Sequence, residues 1–137
     1  MRKIFLPFVL MILLCLVSCG GEGGVRVTNT MEQYALDYIK ANNILTPNER
    51  IEAYYDYTIL LDATEGVILT NTRLIYYNSN YVQDFYLDNI TEINSYEKTI
   101  EGLFIEVYSG EEMMLIEIAA LNGGDTFLRL LKRKTNY

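Results

Sequence analysis

The stretch Glu49 to Tyr77, ERIEAYYDYTILLDATEGVILTNTRLIYY, constrains this chain most, because it reads as three consecutive strands with their turns already marked. Ile51, Ala53, Tyr55, Tyr57, Ile59 and Leu61 share one parity, while Glu52, Tyr54, Asp56, Thr58 and Asp62 share the other, the period of two expected of a half-buried strand. Asp62 to Gly66 then supplies turn chemistry, Val67 to Leu69 resumes the apolar run, Asn71 tolerates left-handed geometry, and Leu74 to Tyr77 starts a third strand. Short turns between three strands make an antiparallel meander. On this register Ile59 faces the core and Asp56 faces water. Ile59→Asp is then expected to unfold the domain and Asp56→Asn to be nearly silent.

The chain begins with a different signal. Arg2 and Lys3 precede an apolar run from Ile4 to Val17 that carries Pro7 and is too short for a comfortable membrane span of about 20 residues. The run closes on Leu16-Val17-Ser18-Cys19 followed by Gly20-Gly21. This order of basic, apolar, small and Cys resembles the signal peptide and lipobox of bacterial lipoproteins. The resemblance implies that residues 1–18 are removed and that Cys19 becomes the acylated first residue. It places the protein in the cell envelope, anchored to a membrane by lipid, and to the outer membrane in a host that has one, since no Asp follows the Cys.

With Cys15 in the removed segment and Cys19 carrying lipid, the mature chain has no thiol left for a disulfide, so its core alone must hold it together. Loss of the first 18 residues removes two of the 11 basic residues and none of the 18 acidic ones, leaving a formal charge of −9. Such a chain is a poor partner for nucleic acid.

Residues 19–29 are Gly-rich and polar and read as a flexible tether with a reach of roughly 17 Å. From 30 to 137 a single domain is expected. It opens with a helix over 30–45, where Met31, Tyr34, Ala35, Tyr38 and Ile39 trace an apolar stripe and Thr30 with Gln33 forms a capping-box pattern. A fourth strand is expected at Tyr81 to Leu87 and a fifth near Ile93 to Thr99. Two more follow, with Leu103, Ile105 and Val107 and then Met114, Ile116 and Ile118 directed inward. A helix from Thr126 to about Lys134 closes the chain, with Phe127, Leu130 and Leu131 inward. Strands in series followed by one helix is an α+β order.

This order, together with the Val67-Ile68-Leu69-Thr70-Asn71-Thr72-Arg73-Leu74-Ile75-Tyr76-Tyr77 hairpin, the Leu87-Asp88-Asn89-Ile90-Thr91-Glu92-Ile93 step and the helix around Phe127 to Lys132, resembles the pleckstrin-homology-like superfold in its bacterial branch. The resemblance spans about 49–137. It implies an antiparallel β-barrel or sandwich of about seven strands closed by the C-terminal helix, here preceded by an N-terminal helix. Eukaryotic members that bind inositol phosphates use Lys and Arg on the first hairpin. The matching turn here, Asp62 to Gly66, is acidic, so phosphoinositide binding is not expected.

The chain contains no His, no free thiol, no phosphate-binding Gly loop and no nucleophile elbow, so no catalytic, metal-ligating or cofactor-binding residue is assigned. The acidic pairs Glu111-Glu112, Asp84 with Asp88, and Glu97 with Glu101 read as solvated turn charges, and Arg129, Lys132, Arg133 and Lys134 as cations favoured by a helix C-terminus. Tyrosine is the one excess, 12 residues in all. Tyr54, Tyr76, Tyr86 and Tyr108 are the candidate interaction surface, set against the general preference of strands for Tyr. The expected function is a non-enzymatic, lipid-anchored envelope module that binds or scaffolds a protein or peptide partner. A small-ligand-binding protein or carboxylate enzyme acting on cell-wall or glycan material is the alternative.

Overall fold

The computed structural model describes residues 23–137; the expected signal segment, Cys19 and the first residues of the expected tether lie outside them. The described residues form two helices and eight strands, the strands all paired antiparallel in two sheets. The first sheet runs β1 (Arg26–Val27), β2 (Ile51–Asp56), β3 (Gly66–Thr70), β4 (Arg73–Asn78) and β5 (Tyr81–Tyr86) in spatial order. A 3-10 turn at Leu87–Asn89 leads to the second sheet, β6 (Glu92–Lys98), β7 (Gly102–Ser109) and β8 (Glu112–Ala119). Helix α1 (Gln33–Ala41) lies on the outer face of the first sheet, and α2 (Gly124–Thr135) closes the space between the sheets.

The interior between the sheets is filled by side chains. Val67, Leu69, Leu74, Phe85, Ile105, Val107, Met114, Ile116 and Ile118 meet Phe127, Leu130 and Leu131 of α2 there, as the alternation of these segments predicts. A second core lies on the other side of the first sheet, where Ala35 and Ile39 of α1 cover Ile51, Tyr54, Ile68, Ile75 and Tyr77. The central strands are therefore buried on both faces, and β3 has no exposed residue. Gly102 begins β7 at φ +122°, and a Cβ there would stand 2.1 Å from the Ile118 carbonyl oxygen, so the β6–β7 turn requires glycine.

Several expectations are corrected. The tether expected from sequence reaches residue 29, yet Arg26 and Val27 pair with Tyr54 and Ala53 and form β1. The expected helix over 30–45 is shorter, and the capping box does not form: Glu32 occupies the N-cap position, while the Thr30 hydroxyl bonds to the Val27 carbonyl instead. Asn71 does not adopt a left-handed conformation; its side-chain oxygen accepts the Arg50 N–H at 2.7 Å.

The largest correction falls on β2. A register shift between Ile51 and Ala53 marks a bulge that sends Ile51 to the α1 side with Tyr54, while Ala53 and Tyr55 face the other core. The strand then stops at Asp56, six residues short of Asp62. Asp56 Oδ1 accepts the backbone N–H of Thr58 at 2.8 Å and its hydroxyl at 2.6 Å, an Asx-type turn that leads the chain out of the sheet. Ile59 is consequently 98% exposed and Asp56 is buried, the reverse of the expected assignment.

Candidate functional site

The four tyrosines named from sequence do not form one surface. Tyr54 is 1% exposed beneath α1 and is removed from any interaction surface, because the face of β2 assumed to meet water is the floor of the second core. Burial raises the pKa of its phenol and those of Tyr34, Tyr57 and Tyr77, so these hydroxyls stay neutral hydrogen-bonding groups. Tyr76 is half-buried, meets Tyr57 edge-on at 6.0 Å and donates its hydroxyl to Glu65. Tyr86 is 58% exposed on β5, opposite Arg73 of β4. Tyr108 is half-buried on β7, its hydroxyl donated to Glu106 at 3.2 Å.

Two of the tyrosines, Tyr55 and Tyr57, help to close the barrel. β8 ends the second sheet, so one edge of its backbone has no strand partner. Tyr57 Oη accepts the Glu117 N–H at 2.9 Å, Tyr55 Oη accepts the Ala119 N–H at 3.3 Å, and Gln83 donates to the Met113 carbonyl. Two side chains of the first sheet and one from the loop that follows β2 thus occupy an edge that would otherwise invite another strand. The sequence carried the Tyr55/Tyr57 pair on the correct parity but gave no sign of the backbone groups it would meet.

Outside the closed edge lies an uncovered face. The inward residues of β7 and β8 alternate with outward ones, and the pairing sets the latter in rows: Glu92, Tyr108 and Met113; Asn94, Glu106 and Leu115; Tyr96, Phe104 and Glu117. The rings of Tyr96 and Phe104 stack at 5.2 Å with 3° between their planes, and Lys98 Nζ lies 4.5 Å from the Phe104 centroid. Tyr96, Met113 and Leu115 are exposed. Among the described residues neither helix packs on this face, whereas α1 covers the outer face of the first sheet. Tyr108 is the one residue of it among the four tyrosines named from sequence as an interaction surface. Met113 and Leu115 were legible as the opposite parity of β8, whose inward set was assigned correctly; no facing was assigned to the strand that carries Tyr96.

A second feature is the β2–β3 loop, 57–65. The two oxygens of Asp56 receive four donors: Thr58 N–H and hydroxyl on Oδ1, and Tyr34 hydroxyl at 3.1 Å and Ala63 N–H at 3.0 Å on Oδ2. Asp62 adds a turn onto Thr64 at 3.0 Å, and the hydrogen bonds of that turn lower the pKa of its carboxyl. Leu61 and Ala63 take positive φ angles of 52° and 60°, a conformation held by these bonds. The loop is thereby fixed with Ile59 and Leu60 pointing into solvent. Among the described residues no group of His, Cys, Asp or Glu is arranged to hold a metal ion. Asp84 pairs with Arg73, Glu101 with Lys98, and Lys134 of the basic cluster with Glu52, each at 2.9 Å.

No family model matches the chain, and no curated protein resembles it in sequence. Solved structures do resemble it in shape. A DUF1696 family protein with a pleckstrin-homology domain from Shewanella loihica PV-4 superposes with a TM-score of 0.56 at 12% identity, covering 85% of this chain and 99% of that one. A pleckstrin homology domain from Shewanella amazonensis SB2B gives a TM-score of 0.56 at 12% identity, covering 90% of this chain and 98% of that one. The two-sheet barrel, its closing helix and these likenesses together show that the chain has a pleckstrin-homology-like fold.

Proposed function

We propose that this protein is a non-enzymatic binding module, held in the bacterial envelope by acylation of Cys19, that takes a protein or peptide partner on the outer face of its β6–β7–β8 sheet. The observation that carries the reading is the uncovered set of cross-strand rows, in which aromatic and apolar side chains stand among Glu92, Glu106 and Glu117. Amphipathic rings beside carboxylates favour a partner that presents an apolar side chain next to Lys or Arg. The apolar side chains packed together between the sheets support a binding role over the small-ligand or carboxylate-enzyme alternative. A photo-crosslinking residue placed at Tyr96 or Leu115 in cells is expected to give a discrete adduct that weakens when salt is raised, and the same residue at Lys40 is not. Adducts at Lys40 alone, or none at either face position, would refute the assignment.

The anchor has its own test. Cys19→Ser is expected to leave the precursor uncleaved or to shift the protein out of the lipid-linked membrane fraction, because both processing and acylation require that thiol and a single apolar chain gives only marginal anchoring. A variant as fully processed and as firmly held as wild type would refute the lipobox reading.

A further inference from the structure

The large apolar side chains most exposed to water gather at one end of the barrel. Ile59 and Leu60 project from the β2–β3 loop at 98% and 85% exposure, Ile100 from the β6–β7 turn at 90%, and Leu121 from the β8–α2 connection is fully exposed. These loops are neighbours. A Cβ on Gly23 would lie 3.5 Å from the Leu61 side chain, Val25 N–H bonds to the Asn122 carbonyl at 2.8 Å, and Thr99 and Leu121 line one cleft of about 330 Å³. Gly23, the first described residue, therefore leaves the domain at this same end.

Covalent geometry makes that placement consequential. Four residue steps separate Cys19 from Gly23, a reach of at most about 14 Å even when fully extended. An acylated Cys19 would bring the bilayer surface to the end of the barrel that carries Ile59, Leu60, Ile100 and Leu121. We infer that these four side chains dock into the lipid bilayer, so that the anchored domain stands with this end down and its β6–β7–β8 face open to partners. The inference rests on the anchor proposed above.

The charges at this end exclude an attraction to acidic headgroups as the cause. Asp62, Glu65, Glu97, Glu101 and Asp125 surround the loops, against Lys98, already paired with Glu101, and Arg26, paired with Glu32. Docking is then by apolar insertion to a depth of about 5–10 Å that needs no anionic lipid, and on a neutral bilayer it does not respond to salt. The Asp56 hydrogen bonds hold Ile59 and Leu60 outward before contact, so insertion orders little further chain.

The test uses the full acylated chain in phosphatidylcholine vesicles that carry a nitroxide lipid, with a fluorophore on a single introduced thiol. Glu111 is the control. It lies at the opposite ends of β7 and β8, about 23 Å from the Gly102–Ala119 pair at 3.3 Å per residue. Probes at Leu60→Cys and Leu121→Cys are expected to be quenched about threefold more strongly than at Glu111→Cys, with no change on adding salt. Adding Ile59→Asp should lower quenching at Leu121→Cys while leaving thermal melting unchanged, which separates lost docking from lost folding. Equal quenching at all three positions overturns the inference while leaving the anchor standing. So does shielding of Leu60→Cys from a water-soluble quencher without lipid quenching, which would mark a protein neighbour. An uncleaved chain that does not enter vesicles overturns the anchor and the docking together.

Discussion

Asp56→Asn is expected to lower the melting temperature by roughly 10–15 °C, a loss of about 3 kcal/mol. The reason lies in the polarity of its partners. Thr58 N–H, Thr58 hydroxyl, Tyr34 hydroxyl and Ala63 N–H all donate, two to each carboxylate oxygen. An amide retains one acceptor oxygen and turns an NH2 donor toward the other pair, so whichever way it is oriented one backbone N–H, that of Thr58 or of Ala63, loses its acceptor and faces a second donor, while the hydroxyl beside it must turn to accept from the NH2. Ala63 is buried, where its unpaired N–H would meet no water. The bond to Tyr34 also ties α1 to the loop, so the second core loosens with it. Ile59→Asp should melt within about 1 °C of wild type, since its side chain already stands in solvent. Thermal melting followed by circular dichroism checks both, and an unperturbed Asp56→Asn would mean that the loop is not held by this carboxylate.

How far the sequence could be read follows from which faces are covered. Strands with one wet face were legible: β8 alternates in burial along its length, and the inward residues of β7 and β8 were assigned correctly because Glu106 and Glu117 mark the other side, although Phe104 on that side of β7 is itself buried. The closing helix was legible for the same reason, through Phe127, Leu130 and Leu131. β2 misled because α1 covers the face that alternation assigns to water, so Tyr54 and Asp56 look exposed in a linear reading and are not. The bulge at its start shifts Ile51 against the parity, and periodicity does not register an inserted residue. One local signal for the strand's end was present. Asp56 followed two residues later by Thr58 is an Asx-turn pattern, and it outweighs the apolar Ile59-Leu60-Leu61 that prolongs the apparent strand. The candidate binding face was half legible, since the outward parity of β6, β7 and β8 could be written down, but which sheet face a helix covers depends on a contact far along the chain. The apolar end was not legible, because it is assembled from three loops and the chain's first described residue.

Replacing Glu49 is expected to cost stability in a pH-dependent way that identifies its role. Arg73 of β4 forks onto it, Nε to Oε1 at 2.7 Å and Nη2 to Oε2 at 2.6 Å, while Nη1 reaches Asp84 at 2.9 Å. Thr70 and Thr72 hydroxyls bond to Oε1, and Thr46 N–H and hydroxyl to Oε2, so one carboxylate joins the segment after α1 to the β3–β4 hairpin and, through Arg73, to β5. The Glu49 side chain is 3% exposed, and the bidentate guanidinium, with the hydroxyl and N–H donors, holds its carboxyl down at about 2 from 4.5. A carboxyl whose folded pKa is depressed contributes stability that is fully present above its unfolded value and is lost as pH falls through the folded one. The window here runs from about pH 5 to pH 2, and the full contribution is roughly 3 kcal/mol. Wild type should therefore lose melting temperature progressively across that window. Glu49→Gln should start lower at pH 7, by roughly 10 °C, and fall less steeply below pH 5. Parallel curves for the two proteins would show that the acid sensitivity arises elsewhere. Arg73→Ala leaves the Glu49 carboxylate covered without its cation, so it should be the more damaging variant at pH 7 and should recover part of the difference as pH falls and Glu49 takes up a proton.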